Sequence, residues 1–218
     1  MPMYKMVHMG RIRLLNVLAE AALIVFSILL ALYTNHWREE RAEQQRVQAT
    51  LAEIRTELEQ NRAILAEVTP YHQAVVQRFE RFLAAPELMQ RIKGHTLVEV
   101  DASADLLPRG VWNPSVRPEI LSDAAWKSAI ASGALTSMSP ALLRQLTAYY
   151  SGQEIGVQST LHAITQLYMT SQPYDPGQTL VMLRTLQGAI GELSTQDAHL
   201  LGQLDDTLRA LPPTDAKP

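Results

Sequence analysis

Glu20 is the residue whose chemistry is hardest to place, because it is a carboxylate inside a run of about twenty mostly apolar residues, Leu14 to Tyr33. On insertion scales such a group costs a few kcal/mol at the centre of a bilayer and less near its edge. Arg13, Asn16 and Glu20 are spaced three and four apart, so a helix carries them on one polar strip. Three chemistries fit that strip. It could pair with a membrane partner; Glu20 could snorkel, held by Asn16 and offset by Arg13; or it could carry a proton, as in ion-driven stator proteins with one acidic span.

The other chemistry-bearing residues form no catalytic pattern. His8, His36, His72, His95, His162 and His199 show no H-x-x-x-H or H-E-x-x-H spacing. Asp197-x-His199 is an isolated pair. Glu99-x-Asp101 with Asp105 could hold a cation, but it lacks the glycine and terminal Glu of a calcium loop and reads as a solvated acidic loop. No G-x-S-x-G, P-loop or dinucleotide fingerprint occurs. The absence of cysteine excludes disulfides, thiolate metal sites and a Cys nucleophile. No catalytic residue, metal or cofactor is expected.

Two aromatic features remain. In W-x-x-A-x-x-S-G, Trp126, Ala129 and Ile130 share a helical face and Gly133 supplies a left-handed cap, which reads as core beneath a helix end. Tyr149 and Tyr150 could line a groove; inside a helix, such a pair more simply gives core plus a surface hydroxyl.

Leu14 to Tyr33 is long enough to cross a ~30 Å hydrocarbon layer at ~1.5 Å per residue, and no other run is. Tyr33 and Trp37 follow it, where amphipathic rings favour the headgroup level. The run is longer than a signal-peptide core, and no small-x-small cleavage site follows Leu32, so it reads as a retained anchor. Lys5, Arg11 and Arg13 precede it; Arg38, Arg41 and Arg46 follow, interleaved with Glu39, Glu40 and Glu43. The basic residues tie at three each, and the acids confined to the far flank orient the tail to the cytoplasm and the main domain outside, in the periplasm if the cell is Gram-negative, with the span in the inner (cytoplasmic) membrane. Three of the 19 Lys+Arg and one of the 22 Asp+Glu precede Arg38, so the rest carries a net charge of −5. A weakly acidic domain does not suit nucleic acid.

The elements that must position these residues are helices. Beyond Trp37 there is no Gly or Pro until Pro70. Val47, Leu51, Ile54, Leu58, Asn61, Leu65 and Val68 recur at steps of four and three, a heptad stripe. The stripe fits a coiled coil between copies, with Asn61 setting register, or packing against later helices of the same chain, and intrachain packing is the favoured reading. Thr69-Pro70 should end this helix. A helix follows from Tyr71 to Ala84. His95 to Pro118 reads as irregular, with a strand-like hint at Leu97, Val98 and Val100. Ser122 should cap a helix reaching Ser132, and Ser139-Pro140 should start another through Tyr149 and Tyr150, bending at Gly152 or Gly156. A turn at 173–177 precedes a last helix from Gln178 to Leu211.

The expected organisation is therefore all-α: a tail (1–13), a transmembrane helix (14–36), a stalk helix (37–69), a helical soluble domain (70–211) forming an antiparallel bundle of four or five helices, and a disordered tail (212–218).

The segment from Ala19 to Leu32 followed by Asn35-His36-Trp37-Arg38-Glu39-Glu40, with Trp126 to Gly133 and Tyr149-Tyr150 beyond it, resembles an uncharacterised family of bacterial single-span proteins. Their anchors read E-x-x-L-V-x-x-G-I-L-I-A-L-x-x-N-x-W; Ser27 stands here where that anchor often has Gly. The resemblance implies an envelope location and a helical domain, and no activity. The functional expectation is a non-enzymatic scaffold or accessory subunit whose partners are the lipid bilayer and either a membrane protein or a second copy, through anchor and stalk. The alternatives are a sensor or enzyme with a groove under 95–118, and a stator-like subunit using Glu20.

Overall fold

The computed structural model describes residues 4–102, 120–169 and 174–213, without the side chains of 4–19, 101, 102 and 168. The described elements are α-helices, a 3₁₀ turn and a π-helical stretch, so the chain is all-α. It divides into two units, Met1–Ala49 and Thr50–Pro218.

Helix α1 (Tyr4–Leu83) runs through both. In the first unit its large apolar side chains from Leu23 to Tyr33 are all exposed, and the helix is long and apolar enough to cross a membrane. The hydroxyls of Ser27 and Thr34 donate to Leu23 O at 2.8 Å and Leu30 O at 3.0 Å. The hydroxyls of Ser27, within the run, and Thr34, just past it, are thus satisfied by their own helix, as an apolar solvent requires.

In the second unit the heptad stripe turns inward. Ile54, Leu58 and Leu65 are fully buried within this one chain, with Asn61 and Val68 beside them, so the stripe packs on later helices of the same molecule. The expected stop at Thr69-Pro70 is absent. Helix α1 continues to Leu83, because the four-three rhythm itself continues through His72, Val75, Phe79 and Phe82, all buried. An interior proline costs about 3 kcal/mol, whereas burying Val75, Phe79 and Phe82 returns about 1.5–3 kcal/mol each. Pro70 is exposed, and the carbonyl it deprives of a partner belongs to Ala66, an exposed residue on the water-facing side. Packing therefore overrides the breaker.

The remaining elements are α2 (Pro86–Ile92), α3 (Leu97–Ala102), α4 (Ala124–Ala131), a 3₁₀ turn (Ala134–Ser137), α5 (Pro140–Ser151), the π-helical stretch Gly152–Gln158, α6 (Ser159–Tyr168) and α7 (Thr179–Ala210). The expected bend at Gly152 and Gly156 is this π-helical stretch, and α7 is continuous through Gly191. The strand-like hint at 97–100 is helix, since Thr96-x-x-Glu99 forms a capping box: Thr96 N donates to Glu99 Oε2 at 2.8 Å and Glu99 N to Thr96 Oγ1 at 3.2 Å. Residues 103–119, most of the expected irregular segment, lie outside the described residues, as do 214–218 of the expected tail.

Three long helical segments build the core. Arg55 meets the carbonyls of Leu211 and Pro212 at 3.0 Å, Arg62 meets Asp205 at 2.6 Å and His72 meets Asp197 at 2.7 Å, so α7 is antiparallel to α1. Gly152 lies beside Leu200 and Gln203, and Thr160 bonds Gln196 at 2.9 Å, so α7 is antiparallel to α5–α6 as well. Leu183, Leu186, Ile190, Leu193, Leu200 and Leu204 of α7 fill the space between. Short α2, α3 and α4 stand where the sequence suggests a fourth or fifth bundle helix.

Candidate functional site

The densest constellation of polar side chains in the second unit gathers on Glu57, a buried carboxylate on the flank of the heptad stripe. Its Oε2 accepts from Ser122 Oγ at 2.6 Å and from Ala125 N at 2.9 Å; its Oε1 accepts from the Tyr150 hydroxyl at 2.7 Å. One turn on, Asn61 donates to Ser122 O at 2.8 Å and to the Tyr149 hydroxyl at 3.1 Å, and its Oδ1 accepts from Ser122 N at 2.9 Å. Gln153 closes the ring by donating to Leu121 O at 3.1 Å. Trp126 stacks on Tyr150 with ring centroids 4.9 Å apart, and Tyr150 meets Tyr149 edge-on at 5.0 Å.

Local sequence explains the geometry. Helix α4 lacks a side-chain cap from its own N-cap residue, Asp123. Ser122 Oγ reaches only Ala124 N, at 3.3 Å, and turns its own proton to Glu57. Glu57 thus caps α4 from another helix, a carboxylate beside exposed N–H groups and the positive end of the dipole. Ser122 was expected to cap this helix itself; it does so in relay. Ser139, by contrast, caps α5 as its spacing with Pro140 indicates, accepting from Leu142 N at 3.3 Å.

Burial pushes the Tyr149 and Tyr150 hydroxyls above the usual phenol range, and for Tyr150 the bond to the Glu57 carboxylate pushes the same way. Both stay protonated and donate or accept as neutral hydroxyls. Both oxygens of Glu57 are engaged, and a depression outside it is lined by Glu53, Thr56, Gln60 and Ser128. The arrangement clasps α1, α4 and α5 together.

Of the sequence-nominated residues, the structure brings Trp126, Tyr149 and Tyr150 into one cluster. The pair was expected to leave a hydroxyl at the surface; both hydroxyls are internal and bonded, because Glu57 and Asn61 of α1 are already there. Ile130 was placed on the buried face with Trp126 and Ala129; Ala129 is buried, Trp126 half-buried and Ile130 exposed, since α4 is short and rests on α1 by one edge. Gly133 adopts φ 73°, the left-handed cap expected of it. Glu20 is exposed on α1, and the side chains of Arg13 and Asn16 lie outside the described residues.

His72 and Asp197 were missed. They form a fully buried pair across α1 and α7. The signal available was His72 on the continuing heptad rhythm and Asp197 on the apolar stripe of α7. Among the described residues no group of His, Asp and Glu could hold a metal. Glu99 lends its carboxylate to the backbone and side chain of Thr96, whose bonds hold it below the usual carboxylate range. Asp105 and the Asp101 side chain lie outside the described residues.

A separate groove of about 520 Å³ is lined by Pro86, Met89, Ile92, Lys93, Pro176 and Leu180, between α2 and the start of α7. Beneath it, Thr179 Oγ1 donates to His95 O at 2.6 Å. Comparison with protein families, curated proteins and solved structures finds no match for this chain.

Proposed function

We propose that this chain is a non-enzymatic protein anchored in the inner membrane of a bacterial envelope by α1, its helical domain on the periplasmic side, where it acts as a scaffold or accessory subunit by binding a partner. The carrying observation is the exposed apolar run: Leu23 is 68% exposed, Phe26 64% and Leu32 62%, a surface that water disfavours and hydrocarbon accepts. The engaged state of Glu57 supports a structural rather than catalytic role for the one dense polar cluster. In this reading Arg13, Asn16 and Glu20 face a neighbouring membrane helix, of another protein or of a second copy, and the chain belongs with the single-span proteins it resembles.

The test is alkaline extraction of membranes followed by crosslinked pull-down of wild type and Glu20→Ala. Retention in the membrane, with a partner captured by wild type and lost in the variant, is expected. Recovery in the aqueous fraction overturns the anchor; capture that ignores Glu20→Ala overturns the strip. A second reading, a small-ligand sensor, draws on the groove beside Lys93 and His95. A stator-like subunit would lose function with Glu20→Gln at unchanged abundance.

A further inference from the structure

Just past the apolar run, α1 becomes two-faced. At about 100° per residue, Trp37, Arg38, Arg41 and Gln45 share one side, and His36, Glu39, Glu40 and Glu43 share the other. The acidic side is partnered locally: Asn35 donates to Glu39 at 2.6 Å, His36 pairs with Glu40 at 3.1 Å, and Arg46 with Glu43 at 3.1 Å. On the basic side, no carboxylate among the described residues lies within ion-pair distance of Arg38 or Arg41. Instead the Arg41 guanidinium sits over the Trp37 ring, 4.4 Å from its centroid.

Depth decides what meets that side. Counting from Leu32, the last aliphatic residue of the run, Trp37 lies ~7.5 Å and Arg41 ~13.5 Å further along the axis. A headgroup layer is about 5–7 Å deep, so the Arg41 backbone has already passed it. Helical side chains lean toward the N-terminus, however, and the stack on Trp37 shows that Arg41 does so. Its guanidinium is returned by one turn, to the depth of the indole. Arg38, 60° away around the helix, starts ~9 Å past Leu32, just beyond the layer, and the same N-terminal lean of helical side chains returns its guanidinium toward it. Stacking leaves the guanidinium edge and its N–H donors free for a planar, two-point contact with phosphate oxygens.

We propose that Trp37, Arg38 and Arg41 form a binding site for the phosphate of an anionic phospholipid headgroup at the C-terminal end of the span. The site gives the anchor a lipid preference and fixes its depth, while the acidic side stays turned to water. The inference rests on α1 spanning a bilayer, and charge complementarity together with continuity with the apolar run selects lipid as the occupant.

The experiment reconstitutes the full chain in phosphatidylcholine vesicles and measures its relative affinity for spin-labelled phosphatidylglycerol over spin-labelled phosphatidylcholine. Wild type should prefer the anionic lipid, and Arg38→Gln and Arg41→Gln should each lower that preference by about five-fold. Arg41→Lys, which keeps charge and loses the planar stack, should fall between. Glu39→Gln, on the acidic side, is the control and should not lower it. Added inorganic phosphate should not displace the lipid; displacement would mean a free-anion site and overturn the lipid assignment. Insertion with a preference indifferent to both arginines overturns the proposal alone. Failure to insert overturns the membrane reading, and the proposal with it.

Discussion

Removing the Glu57 side chain tests the clasp directly. Glu57→Ala leaves three donors behind, and their exposure sets the cost. The Tyr150 hydroxyl is buried and cannot reach water, so it carries the full penalty of an unmet polar group, about 1–3 kcal/mol. Ser122 Oγ and Ala125 N are half-buried and recover part of their loss by hydration. Each had donated to a charged group, worth about 1.5–3 kcal/mol when intact. The bonds share one carboxylate and do not add, so we expect a total of about 3–5 kcal/mol, near the cost of breaking a buried charged contact. In a domain of this size that lowers Tm by roughly 6–20 °C. The assay is thermal unfolding of the full chain in mild detergent, followed by near-ultraviolet circular dichroism, to which the stacked Trp126 and Tyr150 contribute. The decisive measurement is a double-mutant cycle. Tyr150→Phe alone should cost about 1.5–2 kcal/mol, but in the Glu57→Ala background it should be neutral or stabilising, because it deletes the stranded hydroxyl. Equal cost in both backgrounds, or a Glu57→Ala cost below about 1 kcal/mol, would refute the clasp.

Two further outcomes follow from the same geometry. Because Tyr149 and Tyr150 hold their protons more tightly folded than unfolded, their contribution is intact below the ordinary phenol value of 10.0 and is lost as pH rises beyond it. Absorbance titration should show Tyr149 and Tyr150 ionising at higher pH in the folded protein than after unfolding, with stability declining above about pH 10; ionisation of the pair at the same pH in both states would contradict the buried cluster. Pro70→Ala restores the donor that the Ala66 carbonyl lacks and should raise Tm, by no more than the ~3 kcal/mol an interior proline costs. A lowered Tm would mean that Pro70 is itself required for packing.

The helical class and the apolar run were legible because each rests on many residues repeating one period. The heptad stripe also announced its own burial, and Ser139-Pro140 its cap. What failed was decided by single residues against the pattern. Pro70 read as a stop because a breaker is judged locally, whereas His72, Val75, Phe79 and Phe82 extend the rhythm past it. Val98 and Val100 hinted at strand on side-chain type, while the Thr96–Glu99 box beneath them specified a helix start. The clasp and the His72–Asp197 pair were not legible as pairs, since the residues α1 contributes stand 61 to 125 residues from their partners and only the fold brings them together. A trace remained in the sequence: Asn61, His72 and Asp197 each interrupt an apolar stripe, which marks a polar group that must find company inside.

The pairing of α1 with α7 also sets an order of events during biosynthesis. Arg55 and the carbonyl it grips at Leu211 are 156 residues apart, so at about 5–20 residues per second the ribosome needs roughly ten to thirty seconds to deliver the second after the first. Throughout that interval the greasy side of Ile54, Leu58 and Leu65 has emerged without its cover. Until α7 is delivered, a nascent chain of this design offers that side to proteases and to its neighbours, and a premature stop codon at the start of α7 removes the cover as fully as one near the middle.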